Sequence, residues 1–382
     1  MRAALTSLGW GCFFFLLAVA LSGCHEPEVE EVEHVVLHCT LSLPDAQQTE
    51  LDDKLGSAKD APIRKALEDY LAPVFQSSVH DIDVSFFDQR RKGERTFHLV
   101  DVLDATERDY PFEVVASDYR FGGGANVSAN PGVSLTSGET EKDLAFVQKD
   151  GTSDSHRAGL FSMRGRLYVK KGTDTRISAP LCMNNACAAL ILNCDSCEVV
   201  SVRATVEGLA DTFNIIDSLY SFDRHTVINA DVIDLAPYIG SDEDNTSESN
   251  TWGYDPAWIT WTKTPRMVCA VGFPSRNFGT DVIDGKVVIW TVNLFVTLSD
   301  GTVTRNDIYM GQPVQANRLK IVKGWLMADG SFEPTPPLTP TPSPGGGGGG
   351  TIPPTPPSPD DPVVGVSVTL NWKEGSSFTP DL

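Results

Sequence analysis

Hydrophobic and polar residues alternate along many short segments of the chain, and a period of two is the pattern of β-strands. Residues 35–43 place Leu37, Cys39, Leu41 and Leu43 on one face and predict the first strand. Similar runs predict further strands at residues 82–88, 96–102, 111–116, 160–163, 167–169, 189–192, 199–206, 220–222, 227–228, 267–271, 286–298 and 303–309. Short strands separated by turn residues favour an all-β sandwich fold.

One segment departs from this period. Its apolar residues recur at spacings of three, four and seven, as on one face of a helix, at Ile63, Ala66, Leu67, Tyr70, Leu71 and Val74. Asp60-Ala61-Pro62 precedes them and resembles a helix start with proline in the first turn. We therefore predict one helix over residues 62–75, inserted in the first domain and packed against it.

Composition suggests where the domains lie. Residues 334–362 are rich in proline, threonine and glycine and include six consecutive glycines. Such a segment cannot bury a core and serves as a spacer. The chain before it is long enough for two domains of roughly 100–200 residues each. We predict β-sandwich domains at 35–175 and 176–333, and a terminal strand within residues 363–382.

The terminal segment has the strictest alternation in the chain. Val364, Val366, Val368, Leu370 and Trp372 alternate with smaller or polar residues. One hypothesis is that this strand completes the second domain. The other is that it acts as a donor strand and inserts into a neighbouring subunit, because an unpaired strand edge gains main-chain hydrogen bonds from an added strand.

The beginning of the chain has the pattern of an export signal. An apolar stretch over residues 10–20 leads to Leu21-Ser22-Gly23-Cys24, which matches the bacterial lipobox. We predict that residues 1–23 are a signal peptide and that acyl chains such as palmitate on Cys24 hold the protein at the outer membrane. The alternative is an ordinary signal peptide with a chance cysteine. The acidic run over residues 24–34 is predicted to be a tether.

The chain is strongly acidic, with a formal net charge of −21. A protein that neutralises phosphates needs a basic face, so the charge argues against nucleic acid as a partner. Solubility at a crowded surface is the simpler interpretation of this acidity, and a cationic ligand is the alternative.

Six cysteines follow Cys24, and an even number in an exported protein suggests disulfides. They are Cys39, Cys182, Cys187, Cys194, Cys197 and Cys269. We predict disulfides or buried thiols, with the pairing left open. The close spacing from Cys182 to Cys197 also fits a tetrahedral zinc site as an alternative, although we expect no metal and no cofactor.

Residue patterns of enzymes are missing from the sequence: it has no nucleophile elbow, zinc-protease, phosphate-loop or dinucleotide motif. His156 follows Asp154 and Ser155, but such neighbours are common by chance. The glycine-rich segment Phe121–Asn126 is not followed by a helical pattern, so we predict a turn there. We predict no catalytic residues and no enzyme activity.

Two further segments could hold ligands. Asp242-Glu243-Asp244-Asn245 offers oxygen atoms to calcium but lacks the required loop pattern, so a solvated acidic loop is the simpler interpretation. Trp252, Tyr254, Trp258 and Trp261 could stack on sugar rings, although large aromatic residues more often anchor a core. Sugar binding is the basis of an alternative function, a surface glycan-binding lipoprotein.

Six segments share a pattern of apolar strands: residues 155–162, 181–192, 208–214 and 218–222, with the earlier runs 83–88 and 112–116. Together they resemble the fimbrillin-associated, Mfa-like anchor and accessory proteins of Bacteroidetes. The resemblance covers roughly residues 35–330 and consists mainly of apolar strand patterns.

The resemblance implies two tandem transthyretin-like β-sandwich domains, lipoprotein export and a role in type V fimbriae. It implies other fimbrial subunits as partners, strand exchange as the mode of assembly and a function in adhesion, with a host or glycan molecule as a possible ligand. Shaft subunits of that family lose their first strand after a cut at an arginine, whereas anchors keep it. The first arginine after Cys24 is Arg64, within the predicted helix, and Arg90-Arg91 follows the next strand, so neither lies just after strand one.

Overall fold

The computed structural model describes residues 31–42, 46–57, 60–75, 79–91, 94–103, 107–194, 199–238, 266–279, 281–283, 285–334 and 363–373. Most of these residues lie in strands. The helices are α1 (Ala46–Leu55) and α2 (Ala61–Phe75). The strands are β1 (Val32–Ser42), β2 (Val79–Asp88), β3 (Glu94–Leu103), β4 (Glu107–Val115), β5 (Asp118–Ala125), β6 (Val133–Thr136), β7 (Ala145–Gln148), β8 (Gly151–Asp154), β9 (Phe161–Tyr168), β10 (Thr175–Met183), β11 (Ala186–Cys194), β12 (Val199–Glu207), β13 (Thr212–Asn214), β14 (Leu219–Ser221), β15 (Thr226–Asp234), β16 (Arg266–Gly272), β17 (Asp281–Ile283), β18 (Lys286–Val288), β19 (Trp290–Leu298), β20 (Thr302–Met310), β21 (Leu319–Leu326), β22 (Phe332–Glu333) and β23 (Val363–Lys373).

The first large sheet has seven strands in the order β3-β2-β5-β9-β10-β1-β4. Strand β1 lies inside this sheet, parallel to β10 and antiparallel to β4. Because apolar and polar side chains alternate along β1, Val35, Leu37 and Cys39 share one face. There they form a buried apolar cluster with aromatic residues of β2 and β4. The prediction of a first strand with one buried face is confirmed.

The second large sheet has ten strands. Nine follow the order β22-β21-β11-β16-β15-β12-β19-β20-β23, and β8 pairs with β15 beside this path. A single apolar cluster takes side chains from strands along the whole path, from Phe332 in β22 to Val363 in β23. Because residues from both ends of the path share one core, the sheet curls over itself as a sandwich or barrel. The fold is mostly β, as the sequence pattern predicts.

Two smaller sheets complete the described part. One is a β17-β18 hairpin, and the other has the order β14-β13-β7-β6. The four-stranded sheet packs on β5 of the first large sheet, where Gly122 and Gly124 leave room. A Cβ atom at Gly124 would lie 2.5 Å from the Phe146 ring, and one at Gly122 would lie 2.7 Å from Leu144. The prediction of a turn at Phe121–Asn126 is therefore wrong, since these glycines allow two layers of β-structure to approach.

The predicted helix exists, but its predicted packing is wrong. Ile63, Leu67 and Leu71 of α2 pack against the second large sheet, on the face of β11, β16 and β21 turned away from that sheet's own core. The ion pair between the buried Asp60 and the half-buried Lys323, and the hydrogen bond from the Tyr70 hydroxyl to Asp231, join this helix region to the same sheet. A second helix, α1, which the sequence pattern did not predict, lies in the same layer.

Each predicted strand overlaps an observed one, with differences in where strands begin, end and pair. Residues 286–298 form two strands, because β18 pairs with β17 and β19 pairs with β12 and β20. Strand β10, which spans the predicted domain boundary, belongs to the first sheet, so the chain changes sheets between Met183 and Ala186. Val32–His34, assigned to the acidic tether, already pair with β4.

Candidate functional site

The terminal strand lies at the edge of the second large sheet. Strand β23 runs antiparallel to β20, and Ser367 lies directly opposite Asp307. It stands last in the order of that sheet's strands. In this structure the terminal strand therefore completes the sheet of its own chain, the first of the two hypotheses.

The strict alternation of β23 is interrupted in the structure. Val363 pairs with Met310 and Gly365 with Tyr309, so the register shifts between these two pairs. It shifts again between the pairs Thr369–Arg305 and Trp372–Val303. Such bulges change which face a side chain takes. Val363 and Val366 pack on the core. The side chains of the predicted residues Val364, Val368, Leu370 and Trp372 lie outside the described ones.

Strand β1 is the other element on which strand exchange would depend. It has partners on both sides, so its loss would expose the edges of β10 and β4 together. Arg64 lies within α2 and is paired with Asp52 and Glu68. Arg90 and Arg91 lie in the exposed turn after β2.

Four of the six predicted disulfide cysteines have described side chains, and all four are free thiols. Cys182 is exposed, whereas Cys39, Cys187 and Cys269 are buried. Burial raises the pKa of Cys39 to about 12. Cys187 and Cys269 lie in contact, with their Sγ atoms 3.4 Å apart.

His156 is buried in a polar network between the sheets. Its Nε2 lies 2.8 Å from Gln148 Oε1, and its Nδ1 lies 3.0 Å from the Asn185 amide nitrogen. Its backbone N–H donates to the carbonyl of Val271 in the second sheet, and the Asn185 side chain accepts from the N–H of Leu160. Burial lowers the pKa of His156 to about 4. The imidazole is therefore neutral and holds the segment that joins the sheets.

A polar groove of about 290 Å³ opens at one end of the second sheet. Charged side chains line it from three separate parts of the chain: Glu207 from β12, Arg224 and His225 before β15, and Arg276 and Asp281 around β17. Sequence reasoning missed this groove, because the residues share no local motif. They come together through long-range pairing of β12 with β15 and β19 and through the bridge between Leu209 and Ser275.

Several predicted residues lie outside the described part of the chain. They are Cys24, the side chains of Cys194 and Cys197, the acidic loop at 242–245, Trp252, Tyr254, Trp258 and Trp261. Within the described residues, no cluster of histidine, cysteine and carboxylate side chains is arranged to hold a metal ion. The described helices are too short and too polar to cross a bilayer.

No protein-family model matches the chain, and no curated protein matches it. Solved structures do. One is named as a candidate adhesin from Bacteroides ovatus, with 11% identity, a TM-score of 0.44 and coverage of 75% of this chain and 87% of that one. Another is the fimbrial anchor protein Mfa2 from Porphyromonas gingivalis, with 8% identity, a TM-score of 0.39 and coverage of 78% and 94%.

A third is the tip fimbrial protein Mfa3 of Porphyromonas gingivalis with a C-terminal truncation. It shares 9% identity with this chain at a TM-score of 0.34, over 79% of this chain and 97% of that one. The solved structures similar to this chain thus include proteins of the Mfa-like fimbrial group that the sequence resemblance names.

Proposed function

We propose that the chain is a non-enzymatic fimbrial anchor or accessory subunit that acts in adhesion at the cell surface. In this proposal, lipid on Cys24 holds it at the outer membrane, and other fimbrial subunits are its partners. Its two large sheets would represent the two tandem transthyretin-like domains of such subunits. Assembly proceeds by exchange of the terminal strand.

The observation that carries this proposal is the position of β23. The strand lies at a sheet edge, and the proline- and glycine-rich residues 334–362 connect it to β22. A spacer of this composition lets a strand reach another molecule without moving the domain behind it. The main-chain hydrogen bonds that β23 makes with β20 can be replaced by equivalent bonds to a partner's sheet edge.

The position of β1 favours an anchor or accessory role over a shaft role. Strand β1 ends at Ser42, and Arg64 is the next arginine, inside α2. A cut there would divide a helix whose apolar face is buried on the second sheet, rather than release β1 alone. We therefore propose that β1 stays in place and that the exchanged element is β23.

A reversible lock on β23 tests the proposal. Asp307 and Ser367 are Cα partners on β20 and β23, so the double variant Asp307→Cys/Ser367→Cys can form a disulfide that ties the strand to its own sheet. We expect the tagged, oxidised double variant to lose co-purifying fimbrial subunits from cells, and reduction before assembly to restore them. The single variant Ser367→Cys is the control for the substitution.

A second arrangement detects exchange directly. Two differently tagged chains, one carrying Asp307→Cys and the other Ser367→Cys, would form a disulfide between chains only if β23 of one copy reaches β20 of the other. Unchanged subunit capture by the locked variant, together with no cross-link between chains, would rule out exchange of β23. Capture with the strand locked would then assign the partner contact to another surface.

A further inference from the structure

The polar groove beside β15 and β19 contains Arg276, whose guanidinium is positioned by an aromatic ring and a carbonyl oxygen instead of a carboxylate. The guanidinium of Arg276 lies 4.9 Å from the centre of the Phe222 ring and donates to the Phe222 carbonyl oxygen at 3.2 Å. Among the described residues, no carboxylate lies within ion-pair distance of it. Since a guanidinium has five N–H donors, Arg276 retains donors for a ligand.

The backbone next to Arg276 is rigid. Ser275 forms an isolated bridge with Leu209, and it exchanges hydrogen bonds of 2.9 Å with Val314 through its backbone N–H and its hydroxyl. Gly279 lies so close to the Val288 carbonyl that no Cβ atom fits there. The loop that carries Arg276 is therefore held by hydrogen bonds at Ser275, next to the arginine, which lowers the entropy lost when it binds a ligand.

Two carboxylates, those of Glu207 and Asp281, line the same groove as this cation. Glu207 accepts from the Asn293 amide at 2.5 Å and lies 3.6 Å from His225, so its carboxylate is also oriented. Asp281 adds a second carboxylate, which is exposed, whereas Glu207 is half-buried. Arg224 is neutralised by Asp150 at 2.9 Å. The groove thus combines one cation that has no carboxylate partner among the described residues, two carboxylates and the aromatic side chain of Phe222.

We propose that this groove binds a carboxylated sugar. The sugar carboxylate pairs with Arg276, whose planar fork matches a carboxylate, and Glu207 and Asp281 accept hydrogen bonds from its hydroxyls. The volume of about 290 Å³ lies just below the range of small-molecule ligand sites, about 300–1,000 Å³, and is suited to one or two sugar rings. This binding is separate from strand exchange and does not depend on it.

Calorimetry with the purified full chain tests the proposal, using a galacturonate trisaccharide, a hyaluronate tetrasaccharide and sialyllactose as probes. We expect saturable binding of at least one of them. For that probe, Arg276→Gln is expected to weaken binding at least tenfold. Esterifying the probe's carboxylates is expected to weaken it to a similar degree, because either change removes the same charge pair.

Arg203→Gln is the matched control. Arg203 is an exposed arginine stacked on Phe295, 5.9 Å from the ring centre, on the same face of β12 as Glu207 but outside the residues that line the groove. It is expected to leave binding unchanged, and Phe222→Leu, which removes the stacking partner, is expected to weaken it. Thermal unfolding of each variant shows that the fold is intact. The proposal is overturned if none of the three probes binds, if the ester binds as well as the acid, or if both Arg276→Gln and Phe222→Leu bind normally.

The Asp307→Cys/Ser367→Cys lock separates this site from assembly. We expect the oxidised double variant to bind the sugar normally even where subunit capture is lost. Loss of sugar binding in the locked chain would mean that the groove depends on a free β23, which contradicts an independent site.

Discussion

The Sγ atoms of Cys187 and Cys269 lie 3.4 Å apart beneath α2, in contact but not bonded. The register pairs Cys187 with Val271 and Cys269 with Ala189, so the cysteines are diagonal neighbours on β11 and β16. Diagonal residues of an antiparallel pair have Cα atoms about 7–8 Å apart, and an unstrained disulfide requires less than about 7 Å. We therefore predict that both residues are thiols in the folded protein.

Alkylation with iodoacetamide at pH 8 checks this prediction. The reagent attacks the thiolate, burial raises the pKa of Cys269, and both side chains are closed to solvent. We expect the native chain to be labelled at the exposed Cys182 and to be unlabelled at Cys187 and Cys269. In denaturant without reductant, both buried residues should become labelled. If labelling requires a reductant, the two cysteines form a disulfide and the prediction is wrong.

A period of two in the sequence was sufficient to locate most of the strands, because burial of one face imposes that period on a half-buried strand. It could not show which sheet α2 covers. The face formed by Ile63, Leu67 and Leu71 specifies that the helix is buried, and any apolar sheet surface satisfies that requirement. The actual partner has Cys187, Ala189 and Ile191 on one side and Leu190 on the other, so β11 is buried on both faces.

The glycines of β5 and the polar groove were unpredictable for a related reason. A run of glycines is typical of a turn, and its role in β5 depends on Phe146 and Leu144, which lie in another sheet or close to it. The groove residues Glu207 and Arg276 are far apart in sequence, and long-range pairing, including the bridge between Leu209 and Ser275, places them on one groove. In both cases the determining contact is long-range.

Leu67→Ala tests the packing of α2 on the second sheet. Leu67 is fully buried in the cluster with residues of β11, β16 and β21. We expect its truncation to lower the free energy of unfolding by about 2–5 kcal/mol, because it removes apolar contacts and leaves a cavity. Urea unfolding followed by tryptophan fluorescence measures the change.

Lys65→Ala, at an exposed position of the same helix, is the control. Its free energy of unfolding should stay within about 0.5 kcal/mol of that of the parent chain. Equal losses in both variants would show that the buried face contributes nothing specific.

Gly124→Ala tests the close approach of the four-stranded sheet to β5. The added Cβ would lie 2.5 Å from Phe146 Cε1 and 2.8 Å from Cζ, and a buried ring has little room to move. We expect a loss of about 1–3 kcal/mol in thermal or urea unfolding, the range for overpacking a core. Phe146→Leu in the same chain should recover part of that loss.

Gly365→Ala is the matched control for Gly124→Ala. Its Cβ would meet Ile283 Cγ2 at 3.6 Å and Tyr309 Cδ2 at 3.7 Å, which is ordinary van der Waals contact. The control should be neutral or slightly stabilising. A neutral Gly124→Ala variant would contradict the packing of Phe146 on the glycine.

The hydrogen bonds of His156 determine how the protein responds to acid. The Asn185 amide donates to Nδ1, and the Nε2–H of the neutral ring donates to Gln148 Oε1. Protonation would place a hydrogen on Nδ1, facing the Asn185 amide hydrogens, in a site without a compensating anion among its hydrogen-bond partners. The folded state therefore binds this proton more weakly than the unfolded state does.

We predict that His156 makes the protein acid-sensitive between pH 6.5 and about 4. Burial lowers the pKa of His156 in the folded state from 6.5 to about 4, so its contribution to stability is complete above pH 6.5 and is lost as pH falls toward the folded pKa. The lost stability amounts to about 3 kcal/mol over that interval.

Urea unfolding at pH 7.5 and pH 4.5 measures this loss of stability. His156→Gln should be less stable at pH 7.5 and lose less stability on acidification, and His225→Gln, at an exposed side chain, is the control for removing a histidine. If His156→Gln keeps the parent's slope, the acid response originates elsewhere and the network stabilises the junction only through its hydrogen bonds.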